Sequence, residues 1–406
     1  MIYRMDSGNN PANLLVSNRS LVVKLLKMHG TCSRSELSRL TNLTQAAITK
    51  IVANLIDFGI VEEIGLSQGK RGRRSILLRL KKDSFYIIGV YISKHCFSIG
   101  LFDIDGKCND EINIYDIPLS QPPTETMLQV EAEISKRYRK NRGVIAAGIA
   151  TSTYMISQLR NKSIVETSDA AYHKYQYQSN MDINLPIFIG HDVKAGALAE
   201  WWFGEHNSRF LVNLLVGSGV SVGVIMDGKL LLGKSGIAGE IGHMIIDMEG
   251  RKCPCAENSK GCLEQYCSTE AFMRDVTLQL PNYPNSSLYA HKPNTPDDVF
   301  LAANQGDTFA VSVVKQLGYY LGISIINIFR MYNPDTIVIS DVMAHGGDIM
   351  LDAIMETVSQ KLHPAHLDQL TIRYSRFQEN ASLLGAVAIA VDKFLQTPVI
   401  FASEKG

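Results

Sequence analysis

The sequence lacks the marks of a membrane or secreted protein. No apolar run has the length of a membrane span, and the first residues carry no apolar h-region of a signal peptide. These absences predict a cytoplasmic protein with no membrane insertion. Cysteine is scarce and odd in number, seven in 406 residues. In a reducing compartment that pattern, with one Cys-x-Cys spacing, reads as metal ligands or free thiols rather than a disulfide frame. Net charge is absent too, with 40 basic and 40 acidic residues. Hydrophobic content of 46% and charged content of 20% are ordinary for a globular chain. At 406 residues it is too long for one ordinary core, and two or three domains are expected.

The zero charge conceals an asymmetry. Residues 1–82 hold 14 Lys+Arg against 5 Asp+Glu, a net +9, and the remainder carries −9. A small basic domain joined to an acidic one is an electrostatic footprint for nucleic acid, and also the footprint of a merely solvated basic face.

Local patterns favour the first reading. A helix is predicted from Asn18 to Met28, with Val22, Leu25 and Leu26 on one face. A capping box, Ser33-Arg-Ser-Glu36, opens a second helix with Leu37 and Leu40 turned inward. The turn Thr41-Asn-Leu-Thr44 leads to a third, with Thr44 as N-cap and Ile48, Ile51, Val52, Leu55 and Ile56 on the buried face. Gln45, Ala46, Thr49 and Lys50 then point outward, small and hydrogen-bonding residues that a major groove accepts. Beyond Gly59, two apolar stretches flank Gly69-Lys-Arg-Gly-Arg-Arg74, a two-stranded wing whose Arg71, Arg73 and Arg74 suit a minor groove. The arrangement is a winged helix-turn-helix. A three-helix protein-interaction module is the alternative, but it has no need of four cations at one turn.

From about Tyr86 the pattern changes to α/β. Strand pairs are predicted at Phe85–Ile92 with Phe97–Asp103, and at Phe210–Val216 with Val220–Met226; each ends in Asp-Gly-Lys, as a diverged duplication would. Further strands are expected at 144–151, 185–190, 336–340 and 370–376, and helices near 125–140, 193–203, 308–330, 347–362 and 381–395. The whole predicts residues 1–82 as a winged helix, 83–192 as one α/β lobe and 193–406 as a second, with a cleft between the lobes.

The richest chemistry lies in the second lobe. Gly-Glu240-Ile-Gly-His243, Cys253-Pro-Cys255 and Gly261-Cys262-Leu-Glu264 put an imidazole beside three thiols, the soft donor set of a tetrahedral zinc ion. Four unmetallated thiols are the bland alternative, and Cys267 is a competing ligand. Asp192, after Gly190-His191, stands where a strand ends and a helix begins, a position equally suited to a functional carboxylate and to an N-cap. Gly217-Ser-Gly219-Val-Ser-Val-Gly223 can cradle a phosphate or simply turn a hairpin.

Together these segments resemble the ROK family of sugar kinases and sugar-responsive repressors over nearly the whole chain. Ala238-Gly-Glu240-Ile-Gly-His243 with the cysteines that follow is similar to that family's zinc signature, and Leu37-Ser-Arg-Leu, Ala47-Ile-Thr-Lys-Ile51 and Gly72-Arg73-Arg74 resemble its NagC/Mlc-like repressor branch. The resemblance implies a duplicated actin/hexokinase-like (ribonuclease H-like) body behind the winged helix. It implies zinc on His243, Cys253, Cys255 and Cys262, and a sugar held by His191, Asp192, Glu240, His243 and Glu264. The second lobe would also carry a dimerisation surface.

Four departures from the family pattern bear on activity and ligand. Tyr91-Ile-Ser-Lys-His95 replaces the Asp-x-Gly-Gly-Thr phosphate loop, and Asn333-Pro-Asp-Thr-Ile-Val-Ile339 runs into Ser340-Asp341 instead of glycines. Ala150-Thr-Ser-Thr-Tyr154 replaces a Pro-Gly turn that lines the sugar. Six residues, where the family has four, separate Cys255 from Cys262. The expected function is therefore a repressor of carbohydrate genes with no catalytic residues. It would bind double-stranded operator DNA as a homodimer or tetramer. Its effector would be a sugar or sugar phosphate, N-acetylglucosamine 6-phosphate being the first candidate. The alternative is an ATP-dependent kinase with an added DNA-binding domain. A regulatory protein partner has one place to dock in the sequence, Trp201-Trp202, a pair that packing on a neighbouring helix explains equally well.

Overall fold

Helix α1 (Pro11–His29) opens the chain, followed by β1 (Cys32–Ser33), α2 (Arg34–Thr41), α3 (Gln45–Asp57), β2 (Val61–Leu66) and β3 (Ile76–Leu80). The computed structural model describes residues 11–66, 75–159, 164–166, 175–178, 181–204, 208–234, 236–377 and 380–399. Arg71, Arg73 and Arg74 lie outside the described residues. The capping box forms as read: Ser33 Oγ accepts from Glu36 N–H, and the Glu36 carboxylate accepts from Ser33 N–H at 2.7 Å. Asn42 takes the left-handed conformation that ends α2, and Thr44 caps α3. Ile48, Ile51, Val52 and Leu55 are buried, with Val22 and Leu26 from α1. Leu40 was expected inside but is 43% exposed; α2 is only eight residues long, and Leu37 alone fills its inner face. The strands pair in the order β1-β3-β2, which places the wing against the helices.

Two compact units make up the chain. The first comprises Met1–Thr167, Tyr175–Gly190 and Ala386–Gly406, and the second Ser168–Lys174 with His191–Gly385. The winged helix thus belongs to the same unit as the first large sheet. That sheet is built from β4 (Tyr86–Ile92), β5 (Cys96–Asp103), β6 (Asn113–Asp116), β7 (Val144–Thr151), β8 (Ile164–Glu166), β9 (Tyr175–Tyr177) and β10 (Ile187–His191), in the order β6-β5-β4-β7-β10-β9-β8. The second unit's sheet comprises β11 (Phe210–Val216), β12 (Val220–Met226), β13 (Lys229–Leu230), β14 (Thr336–Ser340) and β15 (Thr371–Tyr374), ordered β13-β12-β11-β14-β15. In both, a hairpin pairs antiparallel (Tyr86 opposite Asp103, Phe210 opposite Met226) and its first strand then pairs in parallel with the next (β4 with β7, β11 with β14). The repeated order is the structural form of the duplication.

Helices cover the central strands, which is why those strands read as continuous apolar runs. The helix Thr308–Tyr332 is long and apolar enough to cross a membrane, so the reading that no such run exists fails on length and composition. Its most apolar stretch is 61% buried, and its Leu317, Leu321 and Ile325 share one core with the sheet residues Ile337 and Ile339, which makes it a core helix. The last helix, Ala381–Gln396, returns to the first unit, where Phe394 packs on Phe85 with ring centroids 5.1 Å apart. Trp202 is buried and meets Trp201 edge to face, so packing accounts for half of that pair.

One ion pair links α1 to the body of the first unit. Lys27 Nζ lies 2.7 Å from Asp105 Oδ1, with the Lys27 side chain 5% exposed, and Lys82 pairs with the other carboxylate oxygen. Burial pulls the Lys27 pKa down while Asp105 supports its charge, and the two lysines hold the Asp105 carboxyl below its ordinary range against its own burial. Asp105→Ala removes the carboxylate that chiefly supports the buried Lys27 ammonium. We expect a loss of ~3 kcal/mol, at the lower end for breaking a buried pair. In urea unfolding, Lys27→Ala in the same chain should cost less than it does alone. Additive losses would mean the pair carries no coupling.

Candidate metal and ligand site

The frame of the site is built in the second unit from four short segments. The first is the turn Gly217-Ser-Gly219 between β11 and β12. The second is Gly239–His243, fixed to β12 by Val222 N–H donating to Gly239 C=O at 2.8 Å and closed by the one-turn helix Ile241–His243. The third and fourth, Met244–Ile246 and Gly261–Leu263, run antiparallel, with Ile246 N–H on Gly261 C=O at 2.8 Å and Leu263 N–H on Met244 C=O at 2.9 Å. Gly261 has φ +70°, and a Cβ there would fall 1.5 Å from Asp247 O, so only glycine permits this pairing. The pairing sets His243 beside Cys262, while Glu264 begins the helix that follows.

The ligand atoms of His243, Cys253, Cys255 and Cys262 all lie within 4.8 Å of one another. Cys255 Sγ is 3.8 Å from Cys262 Sγ, and Cys253 Sγ is 3.9 Å from His243 Nδ1. One ion can reach all four, so the cluster is able to hold a metal. Two of the ligands, Cys253 and Cys262, are buried, and His243 and Cys255 are exposed. Cys267, the competing thiol of the sequence, is fully buried and donates to Leu263 C=O at 3.5 Å; burial and Glu264 push its pKa far up. It takes no part in the cluster.

The carboxylates gather on the glycine turn. Glu264 Oε2 stands 3.2 Å from where a Gly219 Cβ would be and 3.1 Å from that of Gly242. Glu240 Oε2 accepts from Ser221 Oγ at 3.3 Å. Asp192 starts the helix Asp192–Phe203 and accepts from Val193 N–H at 2.7 Å through its own Oδ1. Burial pushes the Asp192 pKa up to about 6; the Val193 N–H opposes this, and the charges of Asp341 and Glu240 add to it. His191 is held down at about 4 by burial and by the charge of Lys194, so it is neutral near pH 7.

Two residues that sequence reasoning did not assign complete the site. Asp341, with φ +67°, puts Oδ2 2.9 Å from a would-be Gly217 Cβ, so a carboxylate presses on the turn that a phosphate would need. Its signal was visible as the Ser340-Asp341 departure. Lys194 is 7% exposed, donates to Gly236 C=O and is supported by Glu240. A lysine inside Val193-Lys-Ala-Gly-Ala-Leu-Ala is the mark that could have found it. On α3, Gln45, Ala46, Thr49 and Lys50 are all exposed, and Thr49 Oγ donates to Gln45 C=O at 2.8 Å.

The ROK family sequence model matches residues 87–393. The chain belongs to the ROK family. It is 28% identical over 393 residues to a xylose repressor of Caldicellulosiruptor bescii, covering 94% of this chain and 97% of that one. It is 28% identical over 387 residues to the transcriptional dual regulator NagC of Escherichia coli, covering 92% and 91%. It is 25% identical over 406 residues to the repressor Mlc of the same organism, covering 95% and 96%. Among solved structures, a ROK family transcriptional regulator homologous to Escherichia coli Mlc superposes with a TM-score of 0.79 at 25% identity, covering 96% of this chain and 99% of that one. A ROK glucokinase from Streptomyces griseus superposes over 74% of this chain with a TM-score of 0.60 at 21% identity, a likeness of fold.

Two outcomes follow from the geometry. Cys255→Ser should lower the bound metal, measured by mass spectrometry of the purified protein, to well below that of the native chain; equal content would remove Cys255 from the ligand set. Asp192 favours its neutral form in the fold. Its contribution to stability is therefore present below the ordinary carboxylate pKa of about 4 and is lost as pH rises through about 6. In thermal unfolding, the advantage of Asp192→Asn over the native protein should grow across that window and then level off. A pH-independent difference would contradict the burial of Asp192.

Proposed function

We propose that this ROK protein is a repressor that binds operator DNA through residues 1–82 and senses a sugar through a body made of 83–192 and 193–406. The observation that carries the reading is a capped helix-turn-helix with an exposed, groove-sized face, in one chain with a carboxylate-lined glycine turn. The basic charge of residues 1–82 supports it, as do relatives named as xylose repressor, Mlc and NagC that match nearly end to end. Gln45, Ala46, Thr49 and Lys50 would meet base edges and phosphates in the major groove, and Arg71, Arg73 and Arg74 would serve the minor groove. A two-fold homodimer or a tetramer matches a palindromic site. The working compartment is the cytoplasm.

On the sensing side, Asp192, Glu240 and Glu264 would accept hydroxyl hydrogen bonds, each carboxylate taking two or more, with His191 and His243 beside them. Zinc is the ion that His243, Cys253, Cys255 and Cys262 fit. A tetrahedral zinc–thiolate site with bonds of about 2.3 Å sets sulfurs ~3.8 Å apart, the separation of Cys255 and Cys262. Such an ion supplies structure here: it would hold the segments that carry Glu240 and Glu264. The effector is a sugar or sugar phosphate, with N-acetylglucosamine 6-phosphate the first candidate. Any phosphate on it has to point away from Asp341.

The kinase reading is weaker on the same geometry. Catalysis of phosphoryl transfer rests on positioning and neutralising phosphate charge. Here Asp341 presents a negative charge to the one remaining glycine turn, and Tyr91-Ile-Ser-Lys-His95 offers no second phosphate loop.

The test is binding to DNA fragments from the protein's own genomic neighbourhood. Native protein should bind one of them tightly at low salt. Lys50→Ala should bind more weakly, with a shallower dependence of log K on log salt, since one phosphate contact is removed. An unchanged slope would take Lys50 off the DNA, and no binding to any fragment would sink the repressor reading.

A further inference from the structure

The six residues between Cys255 and Cys262 build a feature that a bare set of four ligands does not need. Ser259 sits in that loop and touches three of the four ligand residues. Its C=O accepts from Cys253 N–H at 2.9 Å, and its own N–H donates to Ala256 C=O at 3.1 Å, so its backbone is fixed on both sides. Its Oγ lies 3.0 Å from Cys255 Sγ and 3.3 Å from Cys262 Sγ.

We infer that Ser259 is a positioning residue for the metal, its hydroxyl proton shared between the sulfurs of Cys255 and Cys262. The inference rests on the reading of the cluster as a metal site. With an ion bound, both sulfurs are thiolates and can only accept, so the hydroxyl must be the donor. Three thiolates and a neutral imidazole leave a divalent ion with a net charge of −1, and a donor that draws density from two sulfurs at once spreads that charge. The geometry also answers a specific weakness of the site. Cys262 is buried and has little freedom, but Cys255 is exposed and free to turn its sulfur to water. A hydroxyl bridging the two ties the exposed ligand to the buried one. Gln265 Nε2, 3.9 Å from Cys253 Sγ, gives the remaining thiolate a weaker donor. The loop between Cys255 and Cys262 is thus the means by which a donor reaches the sulfurs.

The test uses the full chain loaded with zinc, and separately with cobalt, whose thiolate charge-transfer band reports on the sulfurs. Ser259→Ala should weaken zinc about 10- to 100-fold in competition with a chromophoric chelator, the usual scale for losing a partner that orients a ligand. The cobalt band should move to lower energy, because an unbonded thiolate gives up its electrons more easily. Ser259→Thr keeps the hydroxyl and should restore both affinity and band position. Native affinity and an unmoved band in Ser259→Ala would overturn the assignment. So would a Thr variant as weak as the Ala variant, which would make Ser259 a spacer only. A native protein that carries no zinc and takes up no cobalt would instead remove the metal reading itself, and this one with it. Ser259 lies in an irregular loop outside every strand and helix, so both variants should unfold at the native temperature once chelated.

Discussion

The short antiparallel pairing of Met244–Ile246 with Gly261–Leu263 is the constraint on which the site depends. It brings an imidazole from one segment and a thiol from another to a common point. It also sets Glu264 against Gly219 and against Gly242, which lies two residues from Glu240. Without it, the ligands and the carboxylates belong to separate loops whose ordering entropy nothing offsets. A metal at His243, Cys253, Cys255 and Cys262 would act as the clamp on that pairing, so the ion is better read as a brace for a recognition surface than as a reaction centre. Gly261 is the point at which the sequence submits to this geometry, since Asp247 O occupies the place of any side chain.

Electrostatics decide what such a surface can recognise. Burial, with the charges of Asp341 and Glu240 adding to it, lifts Asp192 to about 6, and Glu264 stands against the same glycine turn. Lys194 is the buried cation among them, and it is engaged with Gly236 and Glu240. Hydroxyl groups suit this environment; a triphosphate does not. The same unit that holds the winged helix also holds the ion pair of Lys27, Asp105 and Lys82, so α1 is anchored electrostatically to the hairpin that ends at Asp105. A repressor needs a physical link of that kind between its reading head and its body, since a ligand acts only through contacts that differ between two states.

Much of this was legible in the chain. The capping box at Ser33 and the Thr44 cap appear where local hydrogen-bond chemistry put them, and β11 and β12 occupy the predicted residues, because capping and alternation are local signals. The metal cluster was legible for the same reason: soft donors at short spacing leave few arrangements. Features set by tertiary packing were not. Leu40 fits the periodicity of a buried face yet lies outside, and Asp341 reads as a lost glycine rather than as a carboxylate placed on the turn at Gly217, 124 residues earlier in the chain. Ser259 carries no local signal in the sequence, and only the folded loop turns its hydroxyl toward two sulfurs.

The central claim is that the carboxylate-lined site senses a sugar and that this sensing changes DNA binding. The most direct measurement is fluorescence anisotropy of the protein on its operator, titrated with paired sugars and sugar phosphates, N-acetylglucosamine and its 6-phosphate among them. The account predicts that one such ligand shifts operator affinity for the native protein, while a chain with Glu240→Gln and Glu264→Gln binds the operator normally and ignores the ligand. A doubly substituted chain that responds as the native one does would contradict it, as would native protein that turns over ATP with the same sugars.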